Sequence, residues 1–155
     1  MSIKPTDKIV WIHVASLGEF EQGRPIIEQI RKQGLDYKIL VTFFSPSGYE
    51  IRKNYNGADY IFYLPADTPR NVKRFLDIVN PEIAIFVKYE FWLNYLRELK
   101  RRKVRTFVIS AIFRKNSIFF KWYGEKWRQA LESFEQMFVQ NEESKRLLAE
   151  IGFDN

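Results

Sequence analysis

Val10-Trp11-Ile12-His13-Val14-Ala15-Ser16-Leu17-Gly18-Glu19-Phe20-Glu21 decides how this chain is read. An apolar run feeds a turn of small residues, and a helical pattern opens directly behind it with two acids in its first turn. Such a strand–turn–helix junction leaves unpaired backbone N–H groups and a helix dipole aimed at one spot. The pattern then repeats. Residues 8–14 read as a buried strand, and residues 18–32 as a helix with Ile26, Ile27 and Ile30 on one face, ended by Gly34. Residues 37–44 form a second strand, and Ser45-Pro46-Ser47-Gly48 opens a short helix reaching about residue 54. Residues 59–63 are a third strand. Asp67-Thr68-Pro69 starts a helix striped by Val72, Phe75, Leu76 and Val79. The most apolar strand is Ile83–Val87, followed by a helix over 91–102 and a fifth strand over 104–110. Residues 113–127 are basic and aromatic, helical in their second half. Residues 134–139 could add a sixth strand, and Asn141 caps a last helix through 149.

Strands alternating with helices at this spacing imply an α/β fold, a parallel sheet sandwiched by helices. The usual strand order is 3-2-1-4-5, which makes strands one and four neighbours and opens a crevice at their carboxyl ends. Four segments should border it: Ser16–Glu19 behind strand one, 45–48 behind strand two, Glu90 behind strand four, and 110–114 behind strand five.

Composition narrows the chemistry. The 155 residues suit one domain with a sizeable core. There is no cysteine, hence no disulfide or thiolate site, and the single histidine, His13, argues against a histidine-built metal centre. His13 lies inside a strand and reads as a satisfied buried imidazole. The longest plain apolar run is Ile83–Val87, short of the roughly 18 residues of a membrane span, so a soluble or peripheral, cytoplasmic protein is expected. Net charge is +6. Residues 97–128 hold eleven Lys or Arg against two Glu, an excess of nine, so the remainder carries a net charge of −3. An anionic partner is implied, whether nucleic acid, lipid surface or phosphorylated substrate. Neither G-x-G-x-x-G nor G-x-x-x-x-G-K-[ST] occurs, so dinucleotide binding and phosphate-loop hydrolysis lose their main support.

Each candidate residue has two readings. Ser16-Leu17-Gly18-Glu19 matches a capping box, with Glu19 reaching back to the Ser16 amide; the alternative is a carboxylate, held ionised by the helix terminus, that serves as a base. Glu90 could merely complement a helix dipole. Ser47 with Glu50 fits another capping box, while the free N–H groups of 45–48 would suit phosphate or sugar hydroxyls. Lys100-Arg101-Arg102-Lys103 reads most simply as a solvated helix end. Arg114-Lys115-Asn116-Ser117-Ile118-Phe119-Phe120-Lys121-Trp122-Tyr123 interleaves cations with bulky aromatics, as an interfacial membrane contact or as a core-packing helix with a basic outer face.

Together, Trp11-Ile12-His13-Val14-Ala15-Ser16-Leu17-Gly18-Glu19, Thr42-Phe43-Phe44-Ser45-Pro46-Ser47-Gly48, Tyr63-Leu64-Pro65-Ala66-Asp67-Thr68-Pro69, Tyr89-Glu90-Phe91-Trp92-Leu93-Asn94 and Gln140-Asn141-Glu142-Glu143-Ser144 resemble the N-terminal domain of the transferases of 3-deoxy-D-manno-octulosonic acid (Kdo). The likeness runs nearly the whole length. It departs where the family often has Trp-Pro-Asn, here Trp92-Leu93-Asn94, and an acid where Lys88 stands. The resemblance implies a single Rossmann-like, acceptor-binding domain over 1–155, one half of a GT-B glycosyltransferase. The C-terminal donor domain would be absent, leaving the fragment inactive alone. It further implies Glu19 as general base, Glu90 as a second catalytic carboxylate, inverting transfer from CMP-Kdo, and no cofactor or metal. The acceptor would be a phosphorylated lipid A precursor at the cytoplasmic face of the bacterial inner membrane, reached peripherally or through an anchoring segment outside this chain, in lipopolysaccharide biosynthesis. Ser16, Gly18, Ser45, Ser47, Gly48 and Arg114 are then candidate acceptor contacts, and Lys115, Phe119, Phe120, Lys121 and Trp122 candidate membrane contacts, with nucleic acid excluded as partner. The rival reading is a non-catalytic α/β binding domain whose basic face grips nucleic acid or anionic lipid.

Overall fold

The computed structural model describes residues 2–88 and 91–154. Its backbone is a six-stranded, all-parallel sheet: β1 (Ile9–Val14), β2 (Lys38–Phe43), β3 (Tyr60–Tyr63), β4 (Ile83–Val87), β5 (Arg105–Ala111) and β6 (Gln136–Val139). The order is β3-β2-β1-β4-β5-β6, the expected order extended by β6 beside β5. β1 lies at the centre, pairing Trp11 with Leu40 of β2 and with Ala84 of β4. All six of its residues are buried, which is why it reads as an unbroken apolar run.

Helices α1 (Leu17–Lys32), α2 (Pro46–Arg52), α3 (Pro69–Val79), α4 (Leu93–Arg101), α5 (Glu125–Leu131) and α6 (Glu142–Glu150) connect and follow the strands. The alternating side chains of β1 feed two cores. Val10, Ile12 and Val14 join Phe20 and Ile27 of α1. Ile9 and Trp11 join Phe75 and Leu76 of α3, Tyr95 and Leu96 of α4, Leu131 of α5 and Leu148 of α6. The Trp11 ring is the hub of the second core, within 5.0 Å of Phe75, 5.2 Å of Phe86 and 5.6 Å of Tyr95 between centroids.

Residues 113–127 depart from the sequence expectation. They contain a 3-10 turn, Ile118–Phe120, and the helix starts only at Glu125. Gly124 forces the change: a Cβ there would stand 1.9 Å from the Ile118 carbonyl oxygen. Arg128 fastens the fold-back, its Nη1 donating to the carbonyls of Phe119 (2.9 Å) and Lys121 (2.8 Å).

Candidate active site

The crevice is built by the segments that leave the carboxyl ends of the strands. Behind β1, Ser16 caps α1, its Oγ accepting from the Glu19 amide at 3.4 Å. Glu19 completes a capping arrangement, but its Oε2 accepts from the Ala15 amide at 2.6 Å, one residue before the expected Ser16. The short turn brings the Ala15 peptide, rather than the cap residue's own, over the carboxylate. Glu19 is 9% exposed, a buried acid at the carboxyl edge of the central strand. Glu21 plays a different part: it ties α1 to α2 through Arg52 (2.5 Å) and pairs with Arg24 (3.2 Å).

Behind β2, the expected alternative of a Ser47–Glu50 capping box does not form. Ser45 is the cap residue of α2, and Glu50 pairs with Lys53 at 2.6 Å instead. The hydroxyls of Ser45 and Ser47 are 2.8 Å apart and exposed to solvent. The Ser45 amide donates to the Ala15 carbonyl at 2.8 Å, so one residue, Ala15, links the serine loop to Glu19 through its two backbone groups. Gly48, a candidate acceptor contact, is buried, and a Cβ there would meet the Phe43 ring at 2.8 Å and the Leu17 amide nitrogen at 3.0 Å, which is reason enough for glycine at this position. It lets α2 approach the start of α1. Gly18 is exposed, and among the described residues a Cβ there would meet only Ser16 Oγ, at 4.0 Å.

Within the sheet, Thr42 meets two buried polar side chains of β1, Trp11 and His13. Its Oγ1 accepts from Trp11 Nε1 at 2.8 Å and lies 2.9 Å from His13 Nδ1. All three side chains are buried. His13 is edge-on to Trp92, ring centroids 5.9 Å apart, and Trp92 in turn packs on Phe44 at 5.0 Å.

Tyr89 and Glu90 lie outside the described residues, so the second carboxylate expected there is not located. Its flanks are. Lys88 holds a left-handed backbone (φ 61°), as does Ser110 near the end of β5 (φ 54°). Two non-glycine residues in that region on adjacent strand ends is the kind of strain that gathers at functional sites. Sequence reasoning missed Asp67, read only as the start of α3. Its carboxylate caps α4 from outside, accepting from the amides of Asn94 and Tyr95, both at 3.2 Å, while its carbonyl accepts Asn94 Nδ2 at 2.8 Å. Tyr95 Oη adds a bond to the Pro65 carbonyl at 2.9 Å. The available signal was that Trp92, at the N-cap of α4, brings no capping side chain.

Behind β5, Arg114 is exposed at the rim of a depression of about 300 Å³ that Phe91, Ile112, Ser117 and Phe119 also line. The expected membrane contacts divide. Phe119 is corrected, being 6% exposed and packed against Phe91 (4.9 Å) and Phe113 (5.4 Å). Phe120 is partly buried against the same cluster. Lys115 is exposed, Lys121 half-buried, and Trp122 90% exposed. The basic stretch before β5 is largely neutralised: Lys100 pairs with Glu132 (2.6 Å), Arg101 and Arg102 with Glu98 (2.6 and 2.8 Å), and Arg105 with Glu135 (2.8 Å).

The sequence profile of the family described as 3-deoxy-D-manno-octulosonic-acid transferase (kdotransferase) matches residues 1–155. The chain belongs to the Kdo transferase family. It is 35% identical over 104 residues to the Kdo transferase of Aquifex aeolicus (strain VF5), covering 66% of this chain and 29% of that protein. Identity to the enzyme of Haemophilus influenzae is 31% over 108 residues, covering 69% and 25%. That of Chlamydophila psittaci is 25% identical over 155 residues, covering 96% and 35%. The chain thus spans about a third or less of these relatives' lengths. In structure it is similar to a UDP-N-acetylglucosamine 2-epimerase (TM-score 0.68, 10% identity, 96% of this chain and 46% of that one). The corresponding epimerase of Neisseria meningitidis gives a TM-score of 0.65 at 15% identity, over 94% and 43%. At such identities the likeness concerns the fold alone: the GT-B-type Rossmann-like half that the Kdo transferase family match also implies.

Proposed function

We propose that this chain is the acceptor-side half of a Kdo transferase. Kdo would pass from CMP-Kdo, held by a donor half outside these residues, to a phosphorylated, acylated glucosamine disaccharide. The observation that carries this reading is Glu19: a buried carboxylate at the carboxyl edge of the central strand, its Oε2 held by the Ala15 amide, beside an exposed Gly18 and joined through the backbone of Ala15 to the amide of Ser45, whose hydroxyl meets that of Ser47. As the acceptor hydroxyl attacks the anomeric carbon, its proton goes to Glu19. The new glycosidic C–O bond forms as the bond to the CMP phosphate oxygen breaks, on the opposite face and with inversion. A base so placed contributes about 100- to 10,000-fold in rate. Glu90 is the second carboxylate of the reading, and Arg114 faces an acceptor phosphate from the rim. These 155 residues alone would not transfer sugar.

Membrane contact is proposed for Lys115, Lys121 and Trp122, at the cytoplasmic face of the inner membrane. None of the three has an acidic partner among the described residues, and cations beside an exposed indole suit an anionic interface. The rival reading, a nucleic-acid grip, is weakened because four of the five cations at residues 100–105, Lys100, Arg101, Arg102 and Arg105, pair with Glu132, Glu98 and Glu135.

The test is a titration of this chain with the phosphorylated glucosamine disaccharide acceptor, read at the backbone amides. Saturable shifts at residues 15–20 and 44–47 are expected. Shifts absent there, with salt-dependent binding to arbitrary duplex DNA in their place, would favour the rival.

A further inference from the structure

The geometry points to Phe44 and Trp92 as an aromatic platform that holds a pyranose ring of the acceptor; this inference rests on the acceptor-side reading above. Phe44 follows β2 and Trp92 precedes α4 behind β4, and those strands flank β1 on either side. Their rings meet at 5.0 Å with a 53° tilt, so the pair spans the carboxyl end of β1, where ligands bind in such sheets. The platform is held from below and from the side. His13, fixed by Thr42, abuts Trp92 edge-on at 5.9 Å, and Asp67 pins the amides of Asn94 and Tyr95 just beyond it. Phe44 keeps 54% of its surface exposed.

What surrounds the exposed ring identifies the ligand. A pyranose presents C–H bonds on one face and hydroxyls around its edge, and the negative face of an aromatic ring attracts those C–H hydrogens. Directly after Phe44 come the exposed hydroxyls of Ser45 and Ser47, 2.8 Å apart. The Ser45 amide bonds the Ala15 carbonyl, and the Ala15 amide bonds Glu19. An apolar face edged by hydroxyls and tied to the candidate base is the composition of a sugar subsite. An acyl chain would call for a groove without hydroxyls.

The test compares an acyl-free phosphorylated glucosamine disaccharide with its acylated counterpart, each added to this chain, while the ligand's ring protons are followed by NMR. Wild-type chain should bind the acyl-free sugar and shift its ring protons upfield. Phe44→Ala should weaken binding roughly two- to tenfold, the scale of one aromatic contact, and abolish the upfield shift. Phe44→Trp should restore both, and since Phe44 is half exposed the thermal midpoint of each variant should stay close to that of wild type. Unchanged affinity and shifts in Phe44→Ala would overturn the platform and leave the acceptor-side reading standing. Binding of the acylated ligand alone would overturn it in favour of a chain-binding surface. Failure of the wild-type chain to bind either ligand would overturn the acceptor-side reading itself, and the platform with it.

Discussion

Thr42 satisfies two buried neighbours with one hydroxyl, the Trp11 indole and the His13 imidazole. Neither neighbour could be matched to it from the sequence. That His13 would be a satisfied imidazole was legible from its place in an apolar run, but its partner lies 29 residues away, and only the β1–β2 register, with His13 opposite Thr42, brings them together. Thr42→Val keeps the shape of the side chain and removes the hydroxyl, leaving two buried polar groups short of a partner. The expected cost is about 1–3 kcal/mol in urea unfolding; a loss below about 0.5 kcal/mol would mean that the network is not needed for stability. Glu19 was legible as a residue worth weighing, and its capping reading holds in altered form, while its role as a base remains a proposal. It caps, but through the Ala15 amide rather than that of Ser16.

At the scale of elements, apolar spacing together with helix-start signals such as Ser45-Pro46 and Asn141 pointed to the six strands and six helices of the described residues, because parallel strands buried on both faces and amphipathic helices leave different spacings of apolar residues. What it did not resolve was the aromatic segment before α5. Cations interleaved with rings left a membrane contact and a core-packing helix equally open, and the structure divides them: Phe113 and Phe119 turn inward to meet Phe91 while Trp122 turns out. A 3-10 turn and a fold-back have no fixed period, so sequence spacing could not say which rings face in. Trp122→Ala combined with Lys115→Ala and Lys121→Ala should reduce co-sedimentation with anionic vesicles, roughly 1 kcal/mol being at stake per lost cation; unchanged binding would remove this segment from the membrane contact. Gly48 is the second element-level lesson. Its place in a loop of small residues suggests a ligand contact, and the approach of α2 to α1 is by itself reason enough for it. Gly48→Ala should destabilise by about 1–3 kcal/mol through overpacking against Phe43 and Leu17, measured by thermal unfolding. No loss would show that α2 can shift at little cost.

For the molecule as a whole, the positive charge of the second half was legible and its meaning was not. Counting residues cannot reveal that Arg101 and Arg102 meet Glu98 along α4, or that Arg102 meets Asp77 and Lys100 meets Glu132 across helices. Glu98 sits at the centre of this network, 18% exposed. The Arg101 guanidinium, opposed by burial and helped by Arg102, holds its carboxyl down to about 2. A carboxyl depressed in the folded state stabilises above the ordinary carboxylate range, and that contribution is lost as pH falls from about 4.5 toward 2. Glu98→Gln should therefore cost on the order of 1–2 kcal/mol at neutral pH, discounted for exposed partners, with the gap to wild type closing as pH approaches 2. A gap that stayed constant with pH would show that the carboxylate's charge is not what stabilises.

The measurement that bears most directly on the whole account is the turnover of Glu19→Gln in the full-length transferase carrying both halves, compared with wild type at matched folding. A fall of about 100-fold or more in kcat, with the unfolding midpoint lowered by no more than the loss of a helix cap of about 1 kcal/mol allows, is the expected result. Turnover within a few-fold of wild type would contradict it, and would leave Glu19 as a cap and nothing more.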